Sequence, residues 1–147
     1  MTGLAAFRAR VVEEWIDYNG HLSEAFYVLL FGYATDQVMD GIGLDAAERS
    51  RTGSSLYTVE AHVRYLREVA LGADVEITST IVASGSKKLH LAHEMRVDGE
   101  LVATEELMCL HVSGQPAATA SFTEGVAGRI AELSGTRAPE WVGRAIG

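Results

Sequence analysis

One stretch limits what this chain can become. From about Ser23 to Asp40 the apolar residues Leu22, Phe26, Leu29, Leu30, Tyr33, Ala34 and Met39 recur at helical spacing, while Ala25, Val28 and Phe31 fill the other side. A helix that is apolar nearly all round has no face to give to water, so it must be buried on most sides by the rest of the chain. Its most apolar part, Ala25 to Ala34, is about half of the roughly 20 residues a membrane span needs, so it reads as a core helix. Gly41 and Gly43 mark its end.

The rest of the chain supplies strands to do the burying. One covers about Ala6 to Glu13, before the helix. A short helix from Leu44 to Arg51, stopped by Gly53, precedes four more at about Leu56–Arg67, Asp74–Ala83, Lys88–Val97 and Leu101–Val112. Asp98-Gly99 is a two-residue hairpin signal. With that turn, Leu89, Leu91, His93, Met95 and Val97 share a face with Val102, Thr104, Glu106, Met108 and Leu110. The other face takes Lys88, His90, Glu94 and Arg96 with Ala103, Glu105 and His111. In the strand from Leu56, Tyr57, Val59, Ala61, Val63 and Tyr65 are expected to face the helix, and Glu60, His62 and Arg64 to face away. Ser113 to Ala120 reads as a linker. Ser121-x-x-Glu124 is a capping-box pattern, with Val126, Ile130 and Leu133 as the apolar stripe of a last helix. The expected architecture is α+β: a five-stranded antiparallel sheet wrapped around one long central helix, plus a C-terminal helix. Residues 1–114 form the domain, and 115–147 are a linker and helical extension packed on it. One strand, one buried helix and four strands is the order of the hot-dog fold.

Composition narrows the function. The chain has 147 residues, 48% of them apolar and 22% charged, which suits one globular core. Its net charge is −8. Nucleic-acid binding needs a basic face, so it is not expected. An anionic ligand would need a local basic patch, and the acidity mildly favours a substrate whose acyl end is neutral or cationic. The lone Cys109 excludes an internal disulfide and suits a reducing cytoplasm. No basic-then-apolar leader is seen at the N-terminus, and no membrane association is expected. His90 and His93 lie on opposite sides of a strand, and Cys109 with His111 lacks a third ligand, so no metal site is expected. There is no nucleophile elbow, P-loop or dinucleotide fingerprint, and no cofactor is expected.

The chemistry concentrates in Trp15-Ile16-Asp17-Tyr18-Asn19-Gly20-His21-Leu22, where Asp17 to His21 is turn chemistry just before the central helix. This segment resembles the D-x-N-G-H-[LV] motif of the 4-hydroxybenzoyl-CoA-type hot-dog thioesterases, and His62-Val63-Arg64-Tyr65-Leu66-Arg67 resembles that family's second strand. The resemblance covers about Arg10 to Val112. Within it, Ser23-Glu24 and the longer segments WIDYNGHLSEAFYVLLFGYATDQVMDGIGLD and SLYTVEAHVRYLREV are similar to betainyl-CoA thioesterases, which occur alone or fused to L-carnitine dehydrogenase.

That resemblance implies hydrolysis of an acyl-CoA without cofactor or metal. Asp17 would be general base or nucleophile, and amides near Leu22 to Tyr27, at the positive end of the helix, would polarise the thioester carbonyl. As a residue alone, Asp17 could merely close its own turn. His21 either holds the substrate carbonyl, orients Asp17 or bonds to backbone. Asn19 lies where a turn residue of positive φ or a substrate contact would sit. Trp15, Tyr18 and Tyr27 flank the site and offer faces for a quaternary ammonium group, with Glu24 or Glu60 as carboxylate. Arg64, Arg67, Lys87 and Lys88 are the candidates for CoA phosphates. The exposed sheet edge implies a homodimer or homotetramer, with the active site at the protomer interface as in the family. Another short or aryl acyl-CoA, or a non-catalytic acyl-CoA-binding hot-dog module, are the other readings of the same residues.

Overall fold

The computed structural model describes residues 3–147. Strand β1 (Phe7–Arg10) leads through a 3-10 turn (Glu13–Trp15) to helix α1 (Glu24–Gly41) and short α2 (Ala46–Thr52). Strands β2 (Ser54–Tyr65), β3 (Asp74–Ser84), β4 (Lys88–Val97) and β5 (Glu100–Ser113) follow, then a two-residue β6 (Ala118–Thr119) and α3 (Glu124–Leu133). All the pairings are antiparallel, in the order β1-β3-β4-β5-β2, with β6 added to β5. The sheet curls around α1, the α+β hot-dog arrangement.

The helix boundaries follow from local chemistry. Asp45 caps α2 by accepting from the Glu48 N–H, and Gly53 ends it at φ +62. The cap of α3 is Thr123, whose hydroxyl accepts from the Val126 N–H; the expected Ser121 lies outside the helix. β1 is shorter than expected because the chain turns into the 3-10 helix at Glu13. The expected linker after Ser113 contains β6, which pairs with Val112 and Ser113.

The sheet bends at bulges, and one of them corrects the expected facing. Asp98 and Gly99 do form the hairpin turn, with φ +51 and +80. Val97 then pairs with Glu100 and Arg96 with Leu101, but Met95 pairs with Ala103, leaving Val102 as an extra residue. An extra residue reverses the facing of everything beyond it. Leu89, Leu91, His93 and Met95 therefore share the helix side with Cys109, Leu107, Glu105 and Ala103. A second bulge, at Val59, does the same within β2: Ala61, Val63 and Tyr65 face the helix as expected, but Tyr57 pairs with Leu110 on the outer side.

Two apolar clusters fill the space between helix and sheet. One surrounds the N-terminal half of α1 with Tyr27, Leu30, Phe31, Val75, Ile77 and Met95. The other joins Val38, Met39 and Ile42 to Leu89, Leu91, Leu107 and the α3 residues Val126, Ile130 and Leu133. Each fully buried Leu, Ile or Phe contributes about 1.5–3 kcal/mol. α1 is not buried on most sides within one chain: Val28 and Tyr33 remain 44% and 42% exposed.

Candidate active site

The loop before α1 is built to hold Asp17 still. Ile16 and Leu22 form an antiparallel bridge that closes residues 17–21 into a tight loop. Inside it the Asp17 N–H donates to the His21 carbonyl at 3.1 Å, the Gly20 N–H to the Asp17 carbonyl at 2.9 Å, and the Asn19 N–H to Asp17 Oδ1 at 2.9 Å. An aspartate that accepts from the backbone two residues on is an Asx-turn. Gly20, not Asn19, carries the positive φ, at +81. One carboxylate oxygen is thus committed to the turn, and no described residue donates to the other.

The same loop leaves donors open beside it. Leu22 N–H bonds to the Val69 carbonyl, Ser23 N–H to Trp15, and Phe26 N–H to Ser23. Ser23 occupies the N-cap of α1 without a side-chain cap bond. Among the described residues this leaves the amides of Glu24 and Ala25 unpaired, at the positive end of an 18-residue helix.

A cleft of about 880 Å³ opens over these groups, lined by Asp17, Tyr18, Asn19, His21, Glu24 and Tyr27 from the loop and helix. Its other wall is Tyr65, Leu66, Arg67 and Glu68, where the chain leaves β2. The Leu66 and Arg67 N–H groups both bond to the carbonyl of Val102, so the β5 bulge anchors this wall. Tyr27 is buried and donates to the Arg67 carbonyl at 3.0 Å, and the Tyr65 hydroxyl donates to the Glu24 carbonyl at 3.3 Å. The two rings meet edge-on at 5.1 Å. Burial, foremost, pushes the Tyr27 phenol above its usual range, and the charge of Glu68 adds to it. His21 Nε2 lies 3.1 Å from Glu68 Oε2, so its partner is Glu68 and not Asp17. Three carboxylates, Asp17, Glu24 and Glu68, line the cleft against one guanidinium, Arg67, itself ion-paired with Glu100.

Several residues singled out from sequence lie elsewhere. Trp15 stacks on Phe26 with ring centres 6.2 Å apart and does not line the cleft. Tyr18 does, but is 97% exposed. Glu60 and Arg64 point to the outer face of the sheet with His62 and border a separate depression beside Arg144. Lys87 lies in the turn between β3 and β4 and Lys88 opens β4; the Phe122 N–H donates to the carbonyl of neighbouring Ser86, which places both lysines at the far end of α1. Of the four basic candidates, only Arg67 stands at the cleft within one chain. Glu68, singled out by no motif, joins it because its neighbour Val69 anchors Leu22.

Comparisons with known proteins place the whole chain among thioesterase-like proteins. The family model for the thioesterase-like superfamily matches residues 11–130. Betainyl-CoA thioesterase of Pseudomonas aeruginosa is 41% identical over 98% of this chain and 94% of its own length. A crystal structure of a candidate thioesterase from Pseudomonas putida is 42% identical, with a TM-score of 0.85 over 100% of this chain and 97% of that one. A hypothetical protein from Staphylococcus aureus, solved in complex with CoA, is 28% identical, with a TM-score of 0.90 over 97% and 93% of the two chains.

Proposed function

This chain belongs to the thioesterase-like superfamily, and on that footing we propose that it hydrolyses betainyl-CoA to betaine and CoA. That it is a thioester hydrolase acting on acyl-CoA follows from the family and from relatives matched over nearly the whole chain. The observation that carries the substrate is the 41% identity to the Pseudomonas aeruginosa enzyme across 94% of that protein. The acidic cleft supports it, since three carboxylates suit a permanently cationic acyl group better than a fatty chain.

In the reaction, the thioester carbonyl lies at the N-terminus of α1 and its oxygen accepts from the amides of Glu24 and Ala25. The free carboxylate oxygen of Asp17 takes a proton from the attacking water, whose oxygen bonds to the carbonyl carbon. The tetrahedral oxyanion is held by the same two amides, then collapses with cleavage of the C–S bond, and the proton held by Asp17 passes to the departing CoA sulfur and restores the carboxylate. His21, held by Glu68, borders the carbonyl, and Asn19 fixes Asp17 through its own backbone.

The working unit is an assembly of copies. β2 is the long edge strand of the sheet, opposite the short edge β1, and the exposed Val28 and Tyr33 leave α1 open on one side. A second copy against this side completes the wall of the cleft and supplies the basic residues for CoA that one chain does not gather. No helix among the described residues is long and apolar enough to cross a membrane. The single cysteine, Cys109, is buried and unpaired, which suits the reducing cytoplasm we assign to the protein.

Thiol release from a panel of betainyl-, aryl- and short alkanoyl-CoA thioesters tests the reading. Betainyl-CoA should give the highest kcat/KM, and a clear preference for an aryl or alkanoyl group would replace it.

A further inference from the structure

On the helix side of the sheet a row of polar side chains crosses the strands between the two apolar clusters. Ser79 on β3 pairs with His93 on β4, and His93 with Glu105 on β5. Ser79 Oγ lies 2.8 Å from His93 Nδ1 and Thr35 Oγ1 lies 2.9 Å from Nε2, so both ring nitrogens are engaged. Phe31 stacks on the ring. This part of the row is complete.

Glu105 is not. Its side chain faces the helix side beside Val63 at the open β2 edge, and the residue is only 5% exposed. Burial alone sets its acidity, with no hydrogen bond or opposite charge to offset it, and pushes the carboxyl up to about 7. Among the described residues no group donates to this carboxyl, and an acid held in so largely buried a place is costly for a small core. Nothing in the packing of the chain requires it, since Ala103, Leu107 and Cys109 on the same side are apolar.

Its position connects it to the cleft. Tyr65 pairs with Ala103 and Val63 with Glu105, so Tyr65 and Glu105 are diagonal neighbours on one face. Tyr65 lines the cleft beside Asp17, Glu24 and Tyr27. Burial first, then the charges of Glu24 and Glu105, raise the Tyr65 phenol, and Asp17 adds to the rise at Tyr27. Tyr27 and Tyr65 line the cleft, and Glu105 lies behind Tyr65 on the same face of the sheet, outside the cleft lining itself.

We propose that Glu105 is the specificity residue for the fixed positive charge of the acyl group, its negative charge acting on the cleft from behind the ring of Tyr65. The inference rests on the betaine reading of the substrate. A trimethylammonium group has no N–H to donate, so it needs no aligned acceptor, only a nearby negative charge and apolar or aromatic walls. A carboxylate behind the ring of Tyr65, which itself meets Tyr27 edge-on in the cleft wall, meets that need. A lysine or arginine partner would instead occupy its acceptor capacity permanently.

Two substrates test it: betainyl-CoA and its neutral isostere 3,3-dimethylbutanoyl-CoA, in which carbon replaces the quaternary nitrogen. The wild type should favour betainyl-CoA by kcat/KM. Glu105→Gln, nearly isosteric, should lower that preference by about ten-fold or more, the scale of one lost charged contact, chiefly through KM. Glu105→Asp, which keeps the charge at a shorter reach, should fall between the two. A wild type that favours betainyl-CoA while Glu105→Gln keeps the full preference overturns the role of Glu105 and leaves the substrate reading standing. Equal losses on both substrates also overturn it, since they mark a structural role. A wild type with no preference removes the betaine reading and this inference with it.

Discussion

His93 and Glu105 stand opposite each other across β4 and β5, a base held neutral beside an acid with no partner. Burial moves them in opposite senses, His93 down to about 4 and Glu105 up to about 7. Between pH 4 and 6.5 the unfolded chain binds more protons at His93 than the folded one, so this histidine makes stability rise with pH. Between pH 4.5 and 7 the folded chain binds more at Glu105, so the carboxyl makes stability fall. Each slope is about 1.4 kcal/mol per pH unit, with a ceiling of about 3 kcal/mol for either group. The two should nearly cancel from pH 4.5 to 6.5. Glu105→Gln should unmask the histidine, so that Tm climbs across that range where the wild type stays nearly level. A variant profile parallel to the wild type would contradict the assignment.

Gly20 takes φ +81 in the Asp17 loop, and a Cβ there would touch nothing within 4 Å. The cost of Gly20→Ala is therefore backbone strain alone, about 1–2 kcal/mol. Because Gly20 donates to the Asp17 carbonyl, the strain falls on the loop that aims the carboxylate. Thermal unfolding should show a modest loss of stability, and kcat should drop more than KM rises. Unchanged kcat would mean that the loop does not set the position of Asp17.

The open side of α1 and the free β2 edge predict an oligomer in solution. Light scattering at working concentrations should give at least twice the chain mass, and Val28→Asp should shift the protein toward monomer with loss of activity. A fully active monomer would contradict a site shared between copies.

What could be read from sequence depended on how local each feature is. The Asp17 loop was legible because aspartate, asparagine and glycine within five residues dictate their own turn, and the long apolar helix was legible from its spacing. The Asp98-Gly99 turn was right, yet the facing derived from it failed at Val102, because alternation along a strand assumes that no residue is inserted. That single residue hid Glu105 by assigning it to the outer face. Glu105-Glu106 was the available signal: two adjacent acids in a strand apolar on both flanks cannot both reach solvent. Trp15, Lys87 and Lys88 were placed by proximity in sequence or by charge, and the tertiary path sends them to Phe26 and to the far end of the helix. The last segment, where Trp141 donates to Glu94 and the Gly143 N–H to Glu106 across the outer face, has no periodicity to announce it.

Release of free CoA from betainyl-CoA by wild type and Asp17→Asn, compared at equal concentration, tests the central claim most directly. Asparagine can still accept the Asn19 N–H, so the loop and the fold should persist with an unchanged Tm. Without the carboxylate, kcat should fall by about 100-fold or more, the range expected for loss of a general base. A correctly folded Asp17→Asn that hydrolyses betainyl-CoA at near the wild-type rate would remove Asp17 from the mechanism and contradict the account of this site.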